Sequence, residues 1–74
     1  MQVKQRHLEV FEAILAAGSI SRAASQLNIS QPAVSIALAN FEQLCGFKLF
    51  KRDRGFFAPT REALLLQDEM AQGL

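Results

Sequence analysis

The chain has 74 residues, a length that suits one ordinary domain and excludes two. Half of the residues are hydrophobic and 20% are charged, which excludes a disordered chain, while the formal net charge of +1 points to no particular partner. The one cysteine, Cys45, excludes an internal disulfide and favours a reducing cytoplasm. The sequence lacks a targeting segment and a membrane-length apolar run, so we expect a soluble cytoplasmic protein without membrane contact.

The first amphipathic segment runs from Lys4 to Ala17. Its apolar residues recur at helical spacing, and Gly18 follows them where a glycine can close a helix. The predicted inward side chains are Leu8, Phe11, Ile14 and Leu15. His7 has no second His, Cys or close acid beside it, so we expect it on the outer surface or near the end of the helix and predict no metal site.

A second, shorter helix is predicted after Gly18. Either Ser19 or Ser21 can accept the free N–H groups at its start. Its inward side includes two adjacent alanines, Ala23 and Ala24, which allow another helix to approach closely. This pattern is typical of the first helix of a helix-turn-helix.

The third helix is predicted to begin after Ser30, which can cap it. Pro32 is tolerated in the first helical turn, and Gly46 ends the helix. The predicted buried stripe consists of Val34, Leu38, Phe41 and Cys45. The opposite face carries Gln31, Ser35, Ile36, Ala39, Asn40 and Gln43. Together the second and third helices predict a helix-turn-helix over about residues 20–39.

A basic hairpin is predicted over about residues 47–59. Asp53-Arg54-Gly55 is typical of a turn between two short strands. Residues 48–61 carry five cations and one acid, a net charge of +4, whereas residues 62–74 carry three acids and no base. The hairpin is therefore a candidate for contact with an anionic partner.

A last helix is predicted from Arg61 to Gln72, with Thr60 as its cap. It carries more apolar surface than one thin domain can cover, which suggests pairing with a second copy. The candidate dimerisation residues are Leu64, Leu65, Leu66 and Met70.

These elements predict a mostly α winged helix-turn-helix with a three-helix core, a β-hairpin wing and a C-terminal linker or dimerisation helix. Residues 1–60 would form the DNA-binding domain, and residues 61–74 the linker helix. Gln31 and Ser35 lie four residues apart and can enter a major groove together, and a glutamine can pair with adenine in two hydrogen bonds. The candidate base contacts are Ser30, Gln31, Pro32, Ala33 and Ser35, and the candidate phosphate contacts are Ser21, Arg22, Lys51, Arg52 and Arg54.

The run from Gly18 to Ser35, GSISRAASQLNISQPAVS, resembles the DNA-binding domain of LysR-type transcriptional regulators. The resemblance continues through Phe41-Glu42, Gly46, Leu49-Phe50 and Arg52. It implies a bacterial regulator that binds an interrupted palindromic operator in double-stranded DNA as a homodimer or homotetramer paired through the last helix. It also implies a larger effector-sensing domain, which this chain does not include.

The sequence departs from that family pattern at two places. Family members often carry an arginine where this chain has Ile36, so a base or phosphate contact common in relatives is missing. The segment from Pro59 to Ala63 resembles the family's Thr-Glu-Ala helix start with one residue inserted. The first departure suggests that specificity relies on Gln31, Ser35 and contacts to methyl groups.

Other classes of function have less support in the residues. The chain has no Gly-rich phosphate loop and no nucleophile–base set, so we expect neither an enzyme nor a cofactor. One alternative is a protein-interaction module that docks through the last helix and Phe56 or Phe57, which cannot both point inward from one strand. Another is an isolated dimerisation fragment with weak DNA affinity.

Overall fold

The computed structural model describes residues 3–72, which form four α-helices and one antiparallel hairpin. The helices are α1 (Gln5–Ala17), α2 (Ile20–Leu27), α3 (Gln31–Cys45) and α4 (Arg61–Gln72), and the strands are β1 (Phe50–Asp53) and β2 (Phe56–Pro59). The helices α1, α2 and α3 pack against one another, and the hairpin contacts α1 and α4. The predicted winged helix-turn-helix is confirmed. Residues 1–2 of the predicted DNA-binding domain and residues 73–74 of the predicted linker helix lie outside the described residues.

The boundaries of the first three helices follow from local chemistry. Gly18 and Gly46 close α1 and α3 in the left-handed region, with φ of 76° and 82°. Ser19, rather than Ser21, caps α2: its Oγ accepts a hydrogen bond from the Arg22 N–H at 3.1 Å. The ends of α1 and α3 and the start of α2 thus come from residues whose preferences are visible in the sequence.

The core is built around a series of aromatic rings. Phe11 of α1 meets Phe41 of α3 edge-on, with ring centroids 5.8 Å apart, and meets Phe50 of β1 at 5.7 Å. Phe50 in turn lies 6.2 Å from Phe57 of β2. The first three rings are buried, and the fourth is half-buried. This series joins α3 to the hairpin through one shared set of contacts.

His7 lies near the start of α1, in agreement with one of the two expected placements, but it is not on the outer surface. Its side chain is buried, 8% exposed, and its ring stacks on Phe41 at 5.6 Å. The ring's Nδ1 accepts a hydrogen bond from the backbone N–H of Lys4, 3.0 Å away, so this nitrogen of the buried imidazole has a hydrogen-bond partner. The reason for the error is that the burial comes from α3, which the pattern of α1 alone does not reveal.

The hairpin pairs Phe50 with Pro59 and Asp53 with Phe56. Its two-residue turn, Arg54-Gly55, has positive φ at both positions, 54° and 86°, which matches the right-handed twist of a tight hairpin. Phe56 points outward and is 66% exposed, whereas its neighbour packs inward, as predicted.

The apolar residues of α4 divide into a group that packs on the core and a group that is exposed. Ala63 is fully buried, and Leu66 and Met70 pack against the core. Leu64 and Leu65 remain 50% and 60% exposed. Within the described residues 3–72, no helix has the length and apolar character needed to cross a bilayer.

Candidate nucleic-acid interface

The exposed face of α3 is the centre of the candidate site. Gln31, Pro32 and Ser35 are exposed in its first turns, followed by Ile36, which is 62% exposed. The only charged residue of the whole helix is Glu42, at the edge of its buried stripe. The helix therefore offers amides, hydroxyls and apolar groups to a partner, and no cation.

The two remaining candidate base contacts have less free surface or fewer free atoms. Ser30 is exposed, but its Oγ accepts the Ala33 N–H at 3.2 Å to cap α3. Ala33 itself is half-buried, since its position turns it partly toward the core.

The N-terminus of α2 forms a second part of the candidate site. Because Ser19 serves as the cap, the hydroxyl of Ser21 is not needed for that role, and Ser21 and Arg22 are both exposed. The backbone N–H of Phe57 donates to the carbonyl of Gly18 at 3.0 Å, which holds β2 against the turn that precedes α2. The structure therefore places the hairpin next to the start of the helix-turn-helix.

The hairpin cations are exposed but differ in their surroundings. Arg52 pairs across the strands with Phe57, and its guanidinium carbon lies 5.0 Å from the centre of that ring, a cation–π contact. Lys51 is directed to the other face, opposite Ala58. Arg54 occupies the turn tip in the left-handed region, an unfavourable conformation for an L-residue with a long side chain.

Glu42 and Thr60 position the hairpin, and the sequence analysis assigned neither this role. A carboxylate oxygen of Glu42 accepts the Leu49 N–H at 2.7 Å, and the other lies 3.9 Å from the Lys48 Nζ. The Thr60 hydroxyl accepts the Ala63 N–H at 3.2 Å, which confirms Thr60 as the predicted cap of α4, and it also donates to the Lys48 carbonyl at 2.7 Å. The sequence feature that could have indicated the role of Glu42 is its position: it is an acid beside the apolar stripe of an otherwise uncharged helix.

Cys45 packs against the core as predicted, but it is half-buried rather than fully buried. Burial, and secondarily the negative charge of Glu42, raise the pKa of its thiol above the usual value, so the thiolate is disfavoured at neutral pH. Within the part of the chain that the structure describes, no three His, Cys, Asp or Glu residues are grouped to hold a metal ion.

A groove of about 340 Å³ runs beside α4. Cys45, Phe47, Leu65 and Leu66 form its apolar floor, and two acids, Glu62 and Glu69, form its edge. The exposed Leu65 belongs to this groove, so the outer side of α4 is partly apolar.

A three-helix core with a two-stranded wing is the architecture of a winged helix-turn-helix domain, and known proteins share both its sequence and its shape. A family model described as "Bacterial regulatory helix-turn-helix protein, lysR family" matches residues 5–64. The HTH-type transcriptional regulator AdmX of Serratia plymuthica is 57% identical over 72 residues, which cover 97% of this chain and 23% of that regulator.

Solved structures agree. A LysR-family transcriptional regulator from Eggerthella lenta has a TM-score of 0.86 at 32% identity, with 93% of this chain and 99% of that chain covered. The BenM DNA-binding domain in complex with benA site 1 DNA has the same TM-score at 28% identity, with 95% and 79% covered. The chain belongs to the LysR family of bacterial regulatory helix-turn-helix proteins.

Proposed function

We propose that this chain binds double-stranded DNA sequence-specifically, as the operator-recognition part of a LysR-type bacterial transcriptional regulator. The observation that carries the proposal is the face of α3, whose exposed first turns lie in a helix-turn-helix flanked by a basic wing. The similarity to the BenM domain, described in complex with DNA, supports it. The proposed role is binding in the bacterial cytoplasm rather than catalysis, and it requires no cofactor.

In this proposal α3 enters the major groove with its first turns against the base edges. Gln31 and Ser35 are both exposed on one side of the helix, so they can reach the same groove. The Gln31 amide can donate to adenine N7 and accept from adenine N6. Pro32 and Ala33 offer apolar contact. Ser30 would contact a base while its Oγ still accepts the Ala33 N–H and caps α3.

Phosphate contacts would come from two elements outside α3. Ser21 and Arg22 lie in the first turn of α2, where unpaired N–H groups favour an anion. Lys51, Arg52 and Arg54 supply charge from the wing, and such contacts hold the protein in register without reading sequence. Residues 1–60 would thus form the DNA-binding unit.

Pairing of two chains through α4 is the second part of the proposal, with residues 61–74 as a linker and dimerisation helix. Leu64 and Leu65 are exposed, and a second copy could cover them together with the adjoining groove. Leu66 and Met70 already pack on the core and would support this surface from below. A homodimer or homotetramer would match an interrupted palindrome, because protein symmetry is repeated in the site. A small-molecule effector would act only through a domain outside this chain, since the chain corresponds to 23% of the length of AdmX.

The test is selection of a preferred duplex from a random library, followed by titration of that duplex and a scrambled one at two salt concentrations. Molecular mass is measured in parallel for the wild type and for Leu65→Glu. We expect tight, salt-sensitive and selective binding by two chains, and loss of the dimer in the variant.

Unselective binding would contradict sequence-specific recognition. No binding at low salt by a folded dimer would favour the protein-interaction module, for which the 66% exposure of Phe56 is the specific observation. An unchanged mass for Leu65→Glu would contradict pairing through α4.

A further inference from the structure

Ile36 is an apolar side chain in an unusual position. It is 62% exposed, and it lies on the face of α3 that carries Gln31 and Ser35. Pro32 precedes it by four residues and Ala39 follows by three, and both are exposed, so the three are neighbours on the helix surface. We call Pro32, Ile36 and Ala39 the apolar patch of α3.

The lack of cations on α3 restricts the chemical groups of a partner that suit the apolar patch. Residues 31–45 include no Lys, Arg or His, so α3 lacks the side chains that make the commonest specific contact to guanine O6 and N7. The cations proposed to hold DNA lie outside α3, in α2 and in the wing. An uncharged helix face in a domain whose proposed phosphate contacts lie on other elements suits the floor of a major groove, where phosphates are distant and base edges are close.

We propose that Ile36 determines specificity by contact with the C5-methyl group of a thymine in the operator. That methyl group is the one apolar feature that a base pair presents in the major groove, and an exposed branched side chain complements it. The amides of Asn40 and Gln43, exposed on the same side, can satisfy the polar edges around it. This inference rests on the DNA-binding function proposed above.

Gln31 and Ile36 are separated along the helix. Ile36 follows Gln31 by five positions, a rise of about 7.5 Å. This is more than the spacing of about 3.4 Å between successive base pairs, so we expect the two side chains to contact different base pairs.

The experiment uses the full chain and the duplex selected from a random library. Each thymine of one half-site is replaced in turn by deoxyuridine, which removes the methyl group and leaves the Watson–Crick pairing intact, and in a second set each of these T·A pairs is replaced by G·C. The wild type, Ile36→Ala and Ile36→Arg are titrated against every duplex. Val3→Ala is the control, because Val3 is 50% exposed and precedes α1, outside the helix-turn-helix and the wing.

We expect the wild type and Val3→Ala to lose about fourfold in affinity at one thymine, the loss that corresponds to one apolar methyl contact. Ile36→Ala should be insensitive to deoxyuridine at that position while it keeps the wild-type response to replacements elsewhere. Ile36→Arg should shift the preferred pair at that position from T·A to G·C, because a guanidinium can bond guanine O6 and N7.

Three results would overturn the inference. The first is an Ile36→Ala variant with the wild-type response to every deoxyuridine. The second is an altered mass of Ile36→Ala without any change in the thymine response, which would assign the apolar patch to contact between copies. The third is a wild type that selects no sequence at all; this would also overturn the proposed function, whereas the first two leave it standing.

Discussion

The recognition helix and the wing are opposite in their chemistry. The helix α3 carries one charge in fifteen residues, is capped at both ends and contributes three buried side chains to the core. The wing is a hairpin of two four-residue strands with three exposed cations and a strained turn. Sequence reading needs side chains held in fixed positions, whereas attraction to phosphates needs only charge near the backbone. Under the proposed function, this difference would assign sequence specificity to α3 and affinity for phosphates to the wing.

The largest expected effect is on the free energy of unfolding, and it comes from removing one ring of the aromatic series that joins α3 to the wing. Phe41→Ala deletes a buried ring that contacts Phe11 and stacks on His7, and should reduce the free energy of unfolding by about 3 to 5 kcal/mol. For so small a domain this is a large share of the total stability. Urea unfolding followed by circular dichroism measures the loss. Phe56→Ala is the matched control, because Phe56 is mostly exposed; an equal loss for the two variants would contradict the core described above.

The next effect tests the connection between helix and wing. Glu42→Ala removes the carboxylate that accepts the Leu49 N–H, and we expect a loss of about 1.5 to 3 kcal/mol in the free energy of unfolding, because a hydrogen bond to a charged group is lost. Glu42→Gln keeps an oxygen acceptor and should lose less. The contribution of the Lys48 ion pair is small, since that lysine is highly exposed. Equal losses for the two variants would mean that the charge, not the hydrogen bond, holds the wing.

A third prediction concerns base recognition by the helix. Gln31→Ala should cost about 1 to 3 kcal/mol on the selected duplex and much less on random DNA. Gln26→Ala, an exposed glutamine on α2, is the matched control and should bind both duplexes as the wild type does. Titration of both variants on both duplexes measures these changes in affinity. The same loss on both duplexes would remove Gln31 from the base contacts.

The smallest expected effect concerns the wing tip. Arg54→Ala should weaken binding to all sequences alike and lower the magnitude of the salt slope by about one unit, because one phosphate contact is lost. Arg54→Lys keeps the charge and should keep the slope. Binding isotherms over a range of salt concentrations provide the slope. Should Arg54→Ala keep the wild-type slope, Arg54 makes no phosphate contact.

Much of the fold could be predicted because its signals are local. Ser30, Pro32 and Gly46 define the bounds of α3 by their own backbone and capping preferences, and the apolar spacing defines its buried side. The hairpin turn at Arg54-Gly55 was also visible in the sequence. The candidate contacts to bases and phosphates remain predictions, since contact with DNA is a property of a complex.

The errors and omissions concern contacts between elements distant in the chain. His7 is buried by Phe41, thirty-four residues further on, and a polar residue in α1 gives no local sign of that partner. The role of Thr60 depends on the Lys48 carbonyl, which only the folded loop brings within hydrogen-bond distance. Such contacts follow from tertiary packing, to which helical periodicity is insensitive.

The hydrogen bond from Phe57 to the Gly18 carbonyl has a consequence for local opening. Detachment of the wing must break this bond, whereas fraying of the turn tip at Arg54 need not. The Phe57 amide should therefore exchange its hydrogen with solvent only when the wing separates from the helical core, and the amide of Gly55 much earlier. A single backbone amide can thus report, in the free protein and on DNA, how firmly the wing is held in place.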